Sequence, residues 1–227
     1  MGKRGIADQR SDGRVHLTTV RRTVRGRTGL VHVVDPPGTQ FLNDRPDGQL
    51  SYLGTIKAHL LILDPRAIPA VRDRLGETSR FAVEGRGHEV LGVASIAVGE
   101  LPYHVMVAKI RQYGMRTERC VLAVVVMRAE LLLTAGLWQP DGKGRTSTRL
   151  RAWLVEQGFD NLVLAAKRDF RAVRYFLSSV PDAASTRYPS TEEALDRKVA
   201  VGARRLGDPA APLEWLLDHH RLGWWRW

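Results

Sequence analysis

Cysteine is almost absent: Cys120 is the only one in 227 residues. An internal disulfide is therefore excluded, and the position of Cys120 at the head of an apolar run predicts a reduced core residue. No apolar run approaches the ~20 residues needed to span a bilayer. The first twenty residues carry Lys3, Arg4, Arg10 and Arg14 but no following apolar segment, so a secretory signal is not expected. Internal repeats and low-complexity tracts are missing as well. Together these absences describe a soluble, cytoplasmic chain. Its 44% hydrophobic and 26% charged residues are ordinary globular composition, and its length suits one domain with an appendage.

Acidic residues are in short supply: 24 stand against 35 basic ones, a net charge of +11. That balance makes an acidic partner electrostatically reasonable, whether nucleic acid, an anionic surface or phosphate. The charge is dispersed, however, and only Arg21, Arg22, Arg25 and Arg27 form a dense cluster. Six of the basic residues are lysine, an arginine bias that coding composition produces without selection for binding. The plain reading is a solvated basic surface, and the sharper one is a nucleic-acid-binding module without catalytic activity. No helix-turn-helix, zinc-finger or RNP pattern is present, and no Asp…Glu-x-Lys constellation suggests a nuclease.

Residues 13–34 read as two strands joined by few turn-like residues, the pattern of an antiparallel hairpin. "AHLLILD" (58–64) is a short continuous apolar run, which predicts a strand covered on both faces. It leads into a helix, with Asp64 as N-cap, Pro65 at the first position and Ile68, Val71 and Leu75 at helical spacing. Residues 77–100 are glycine-rich and read as an insertion or irregular strands. A helix is expected over 102–113, from Pro102 to the stop at Gly114. Cys120 to Val126 gives the strongest buried strand. "STRLRAWLVEQG" places Leu150, Trp153 and Leu154 on one helical face, with Ser147 as N-cap and Gly158 as stop. "NLVLAAKRDF" predicts a helix, "AVRYFLSS" (172–179) a strand, and "PLEWLLDHH" a terminal helix. The domain plan is a disordered tail (1–12), a domain (13–180), and a polar linker with a helix packing back on it (181–227). Alternating strands and helices predict an α/β fold, a three-layer, mostly parallel sheet with helices on both faces.

Ligands in such sheets bind at the carboxyl ends of strands. Those ends carry Asp35-Pro36-Pro37-Gly38, Asp64-Pro65, Met127-Arg128-Ala129-Glu130 and Ser178-Ser179. Asp35 and Gly38 have the spacing of a DxxG corner, whose acid holds Mg²⁺ through water and whose glycine N–H meets a γ-phosphate. Together these ends resemble the later half of a GTPase core, a likeness that would put Arg128 and Glu130 where Asn/Thr-Lys-x-Asp reads guanine and Ser178-Ser179 where a serine corner backs the base. In order, "VVDPPGTQF", "AHLLILDPRAIPAVRDRL", "RCVLAVVVMRAELL", "LRAWLVEQGFDNLVLAAKRDFRAVRYFLSS" and "PLEWLLD" resemble segments of the bacterial double-GTPase group. That group is a branch of the TRAFAC class of P-loop GTPases, found in conflict-type systems. The likeness runs over roughly residues 15 to 218 and implies GTP and Mg²⁺ as ligands, with a switch role.

The chain departs from that pattern in three ways. No GxxxxGK[ST] occurs in it; "DGKGRTST" (141–148) has Gly144 where Ser or Thr is required. Against a Ras-like order, the first strand, phosphate loop and first helix are lacking. Arg128 and Glu130 also replace lysine and aspartate, keeping the charge signs while lengthening the acid by one methylene. The resemblance therefore implies a degenerate GTPase-like domain, without hydrolysis as an isolated chain, completed by a protein partner or by upstream sequence. Plainer roles fit several of these residues: an N-cap for Asp64, a salt bridge at a strand exit for Glu130, and a turn for Ser178-Ser179.

Overall fold

The computed structural model describes residues 16–24, 27–35, 48–75, 97–139, 146–179 and 208–221. Among these described residues two sheets are formed. Strands β1 (His16–Val24) and β2 (Arg27–Asp35) pair antiparallel, from His16 opposite Asp35 to Val24 opposite Arg27, which is the hairpin the alternation of 13–34 predicts. The second sheet is parallel, with β3 (Ala58–Leu63), β4 (Val121–Val126) and β5 (Ala172–Leu177) in that order.

β4 is central, and all six of its residues are buried. Its side chains alternate between two cores. Leu122, Val124 and Val126 enter the larger core with Tyr103, Val107 and Ile110 of α2 (Ala97–Gln112) and Leu150, Trp153 and Leu154 of α4 (Thr146–Glu156). Val121, Ala123 and Val125 pack on the other face against Trp215 and Leu216 of α6 (Ala211–Arg221). Each buried valine or leucine contributes about 1.5–3 kcal/mol. A parallel sheet between helices on both faces is therefore present, in three strands, while the hairpin stands as a sheet of its own.

Several local expectations need correction. β3 is covered on one face rather than two: Leu61 and Leu63 are buried, whereas Leu60 and Ile62 are 39% and 53% exposed. It is an edge strand, and α6 lies mainly over its neighbour β4, so the apolar run does not imply burial on both sides. Asp64 does cap, accepting from the Arg66 N–H, but the turn it caps is a 3₁₀ turn over Pro65–Ala67. The α-helix, α1, begins afterwards at Pro69 and runs to Leu75. Helix α2 starts at Ala97, so Pro102 lies inside it and residues 97–100 are helical rather than inserted. A proline so near the helix start removes a single ladder bond, which the core contacts of Tyr103 and Val107 outweigh. Ser147 is not an N-cap; its Oγ accepts the Tyr175 N–H of β5 at 3.0 Å and ties α4 to the sheet edge.

The helix stops behave as the sequence suggests. Gly114 and Gly158 have φ of 81° and 87°, a region that costs other residues dearly. Cys120 is buried and free, and burial pushes its thiol up to about 11. α5 (Asp160–Asp169) ends on Asp169, which accepts from Tyr103 Oη at 2.8 Å, Arg111 Nη2 at 3.1 Å and Arg168 Nε at 3.0 Å. This buried acid clamps α5 to α2. The tail 1–12, residues 77–96, most of the 181–209 stretch and the terminal Gly-Trp-Trp-Arg-Trp lie outside the described residues.

Candidate functional site

The parallel strands end together on one rim. β4 passes into α3 (Ala129–Thr134) through Met127 and Arg128, and Arg128 adopts the left-handed region, φ 54° and ψ 46°. It is the one non-glycine residue with positive φ among the described residues. Such a backbone costs about 1–2 kcal/mol and persists only where neighbouring bonds hold it. Three do: Met127 N–H donates to Leu63 O at 3.1 Å, Ala129 N–H to Ser178 O at 3.1 Å, and Leu131 N–H to Arg128 O at 2.9 Å. The bend thus locks the β4 exit to the exits of both neighbouring strands.

This geometry gathers Arg128, Glu130, Ser178 and Ser179. Ser178 and Ser179 are both buried, and Ser178 N–H donates to Val126 O at 2.9 Å. Ser179 Oγ donates to Glu130 Oε2 at 2.8 Å. Glu130 Oε1 stands 3.7 Å from Arg128 Nε, and both side chains are partly open to solvent. The serine corner and the acid of the β4 exit therefore form one unit, and the salt bridge considered for Glu130 is also present. Ser178 and Ser179 do form the strand-exit turn, but Ser179 has a second task in holding the carboxylate.

Asp64 and Arg66 border the same rim from β3. Arg66 Nε reaches Asp64 Oδ1 and Oδ2 at 3.1 and 3.0 Å. Burial pushes the Asp64 carboxyl up, but the Arg66 hydrogen bonds and the charges of Arg66 and Arg128 together hold it below the usual range. Arg128 is thus close enough for Asp64 to feel its charge. The Asp64–Arg66 pair escaped the sequence reading, although "DPR" at a strand exit is its visible signal.

Asp35 is found elsewhere. It is exposed, and its charge is felt by the Tyr52 phenol, which burial first and then Asp35 and Tyr113 push up to about 12. Tyr52 lies in the 3₁₀ turn Gly48–Gly54 that precedes β3. Gly54 in that turn sits so close to Tyr113 that an added Cβ would be 2.6 Å from the Tyr113 carbonyl oxygen. Tyr113 follows α2 and precedes β4, so this neighbourhood belongs to the end where the strands begin. The structure brings four of the six residues together and leaves Asp35 outside that group. Gly38, Pro36 and Pro37 lie outside the described residues, as do Lys143 and Gly144.

The rim offers a carboxylate, a guanidinium and two buried hydroxyls. An ionised carboxylate is an acceptor only, so Glu130 suits a ligand edge that offers N–H donors, with the Arg128 guanidinium beside it for stacking or a negative group. Ser179 is buried with its proton committed to Glu130, which describes a positioning hydroxyl and not an attacking one. Asp35 supplies a single exposed carboxylate, whereas Mg²⁺ takes six oxygens. No group of three or more metal-ligating side chains occurs among the described residues, so the remaining oxygens would come from water and phosphate. On α6, the His219 ring packs on Trp215 with centroids 4.4 Å apart, and Nδ1 is 3.1 Å from the Trp215 carbonyl oxygen.

The fold defines an α/β domain with a three-stranded parallel sheet between helices, an architecture compatible with Rossmann- and P-loop-like proteins. No family model, curated protein or solved structure matches the chain. Among the described residues no helix is long and apolar enough to cross a membrane.

Proposed function

We propose that this chain is a GTPase-like domain, of the kind found in the bacterial double-GTPase group, that keeps a corner for the guanine base and has lost its phosphate grip. One observation carries the reading: Ser179 holds the Glu130 carboxylate at 2.8 Å, beside Arg128, on the rim where β4 and β5 end. An acid fixed in this way accepts from both the ring N–H and the exocyclic amino group of guanine, while the guanidinium lies along the base. Among the described residues the triphosphate has no matching cradle. GxxxxGK[ST] is absent from the sequence, and with it the N–H nest and lysine that carry most of the affinity for phosphate. Binding by the isolated chain is accordingly weak and hydrolysis negligible; a partner protein or further sequence would have to supply the phosphate contacts and, with them, Mg²⁺.

Titration of a fluorescent GTP analogue with Mg²⁺ tests this. The expected result is no saturation below about 1 mM, a binding free energy no better than about −4 kcal/mol. Saturation in the micromolar range would show that a phosphate site exists without the loop and would overturn the proposal.

A further inference from the structure

Basic residues that stand far apart in the sequence gather where the parallel strands begin, at the end opposite the rim. β3, β4 and β5 start in register, Ala58 beside Val121 beside Ala172. The residues just before them are drawn together: Val121 N–H donates to Lys57 O and Arg171 N–H to Cys120 O, both at 2.9 Å. The Cys120 thiol feels the charges of Lys57, Arg171 and Glu118. Arg116 precedes and Arg119 closes the 3₁₀ turn Thr117–Arg119 that leads into β4. Arg111, at the end of α2, donates to Thr117 Oγ1 at 3.2 Å and to Asp169 at 3.1 Å, and Arg168 of α5 donates to the same carboxylate. Asp169 is 4% exposed, so it stands behind the two guanidiniums, whose side chains are 47% and 72% open to solvent. Lys57, Arg111, Arg116, Arg119, Arg168 and Arg171 are all exposed. The acids among them are Asp169 and Glu118, the latter 3.9 Å from Arg116, and Asp35 acts on Tyr52 at the border of this end. On the rim, by contrast, Asp64 and Glu130 balance Arg66 and Arg128.

We propose that this face binds the phosphate backbone of duplex DNA, independently of base sequence. Adjacent strands lie about 4.8 Å apart, so the face is about 10 Å across and spans duplex carrying about six phosphate charges, at one per about 1.7 Å of axis. Guanidiniums meet phosphate oxygens with paired N–H donors, and the buried acid that fixes two of them lowers the ordering cost of that contact. The carboxyl ends of helices attract Arg111, Arg168 and Arg171, whose Nη2 donates to His219 O at 3.0 Å. Lys57 and Arg119 lie at no α-helix end and pair with no acid among the described residues. None of the exposed large apolar side chains falls within 110–120 or 166–172, so a protein partner finds no anchor there and a membrane no inserting group. No phenylalanine, tyrosine or tryptophan is exposed among the described residues, which removes the stacking platform that single strands use. The face offers donors and few acceptors, which suits phosphate better than the 2′-hydroxyls that mark duplex RNA. The proposal stands independently of the guanine reading of the rim.

Fluorescence anisotropy of a labelled DNA duplex about 20 bp long, read on the full chain between about 50 and 200 mM salt, tests it. Lys57→Ala/Arg119→Ala is expected to bind at least about tenfold more weakly and to lower the salt slope by about 1.8, at about 0.9 per phosphate contact. Lys57→Arg/Arg119→Lys keeps the charge and should keep the slope. Arg74→Ala/Arg151→Ala removes the same charge from exposed sites on α1 and α4 and should cost less than about threefold. Should the Lys57/Arg119 alanine pair lower the thermal midpoint, Arg119→Ala alone lowers the slope by about 0.9. Absence of saturable DNA binding, equal losses in the two alanine pairs, tighter binding of duplex RNA, or displacement of the DNA by polyglutamate or phosphatidylserine vesicles at equal charge would each overturn the proposal.

Discussion

Acidification should weaken the fold through one residue, His59. It sits on β3, 7% exposed, with its ring edge-on to Phe170 at 5.9 Å between centroids. Its Nε2 is buried without a hydrogen-bond partner. Burial lowers its pKa from 6.5 to about 4, opposed in part by a hydrogen bond with the Ile56 backbone. A histidine with a depressed folded pKa is protonated first in the unfolded chain, so its full contribution exists above pH 6.5 and is lost as pH falls toward 4. A difference of about 2.5 units at 1.36 kcal/mol each gives a loss of about 3 kcal/mol, a large part of a typical 5–15 kcal/mol stability. Urea unfolding at pH 7, 6, 5 and about 4.2, on the chain and on His59→Leu, isolates the term. Asp64 and Asp169 have lowered pKa values, so their contributions are lost mainly as pH falls through and below 3.8, and the small part lost by about pH 4.2 is common to both proteins and cancels. The unaltered chain should lose about 3 kcal/mol more than His59→Leu. Equal slopes in the two proteins would refute the reasoning.

Asp169→Ala should cost about 3 kcal/mol by chemical denaturation, because the buried Tyr103 hydroxyl loses its acceptor while Arg111 and Arg168 can retreat to water. Asp169→Asn, which keeps an acceptor for Tyr103, should cost less than half of that; equal losses would mean that charge and not acceptance matters. Arg128→Gly should stabilise the fold by about 1 kcal/mol, since glycine occupies φ 54° freely and a 3.7 Å pair open to solvent contributes little. A lower thermal midpoint for Arg128→Gly would show that the guanidinium, and not the backbone, holds the bend.

The local pattern revealed the elements whose cause is local. Alternation along 13–34 pointed to the hairpin, the face of Leu150, Trp153 and Leu154 to α4, and Gly114 and Gly158 marked the stops of α2 and α4. β3 shows the limit: "AHLLILD" is as apolar as a doubly covered strand, but coverage depends on what the rest of the chain brings to its outer edge and face. The start of α2 was missed because Pro102 looks like a first-turn residue, whereas the helix runs from Ala97.

The site divides in the same way. Arg128, Glu130, Ser178 and Ser179 lie at adjacent exits of a parallel sheet, so strand order alone brings them together. The position of Asp35 depends on how a separate hairpin sits against the body, and a strand-end motif carries no information about that. Partners far apart in sequence were equally invisible. Asp169 finds Tyr103 and Arg111 across 66 and 58 residues, and nothing in either segment announces the other.

The central claim is that Glu130, held by Ser179, accepts hydrogen bonds from a guanine edge, and ligand-induced shifts in amide NMR spectra test it most directly. Guanosine at about 10 mM, ten times a millimolar dissociation constant, should move the resonances of Arg128, Ala129, Glu130 and Ser179. Inosine, which lacks the amino group, should move them less, adenosine should leave them in place, and Glu130→Ala should abolish the guanosine response. Equal shifts with adenosine and guanosine, or shifts confined to residues away from the β4 and β5 exits, would contradict the account.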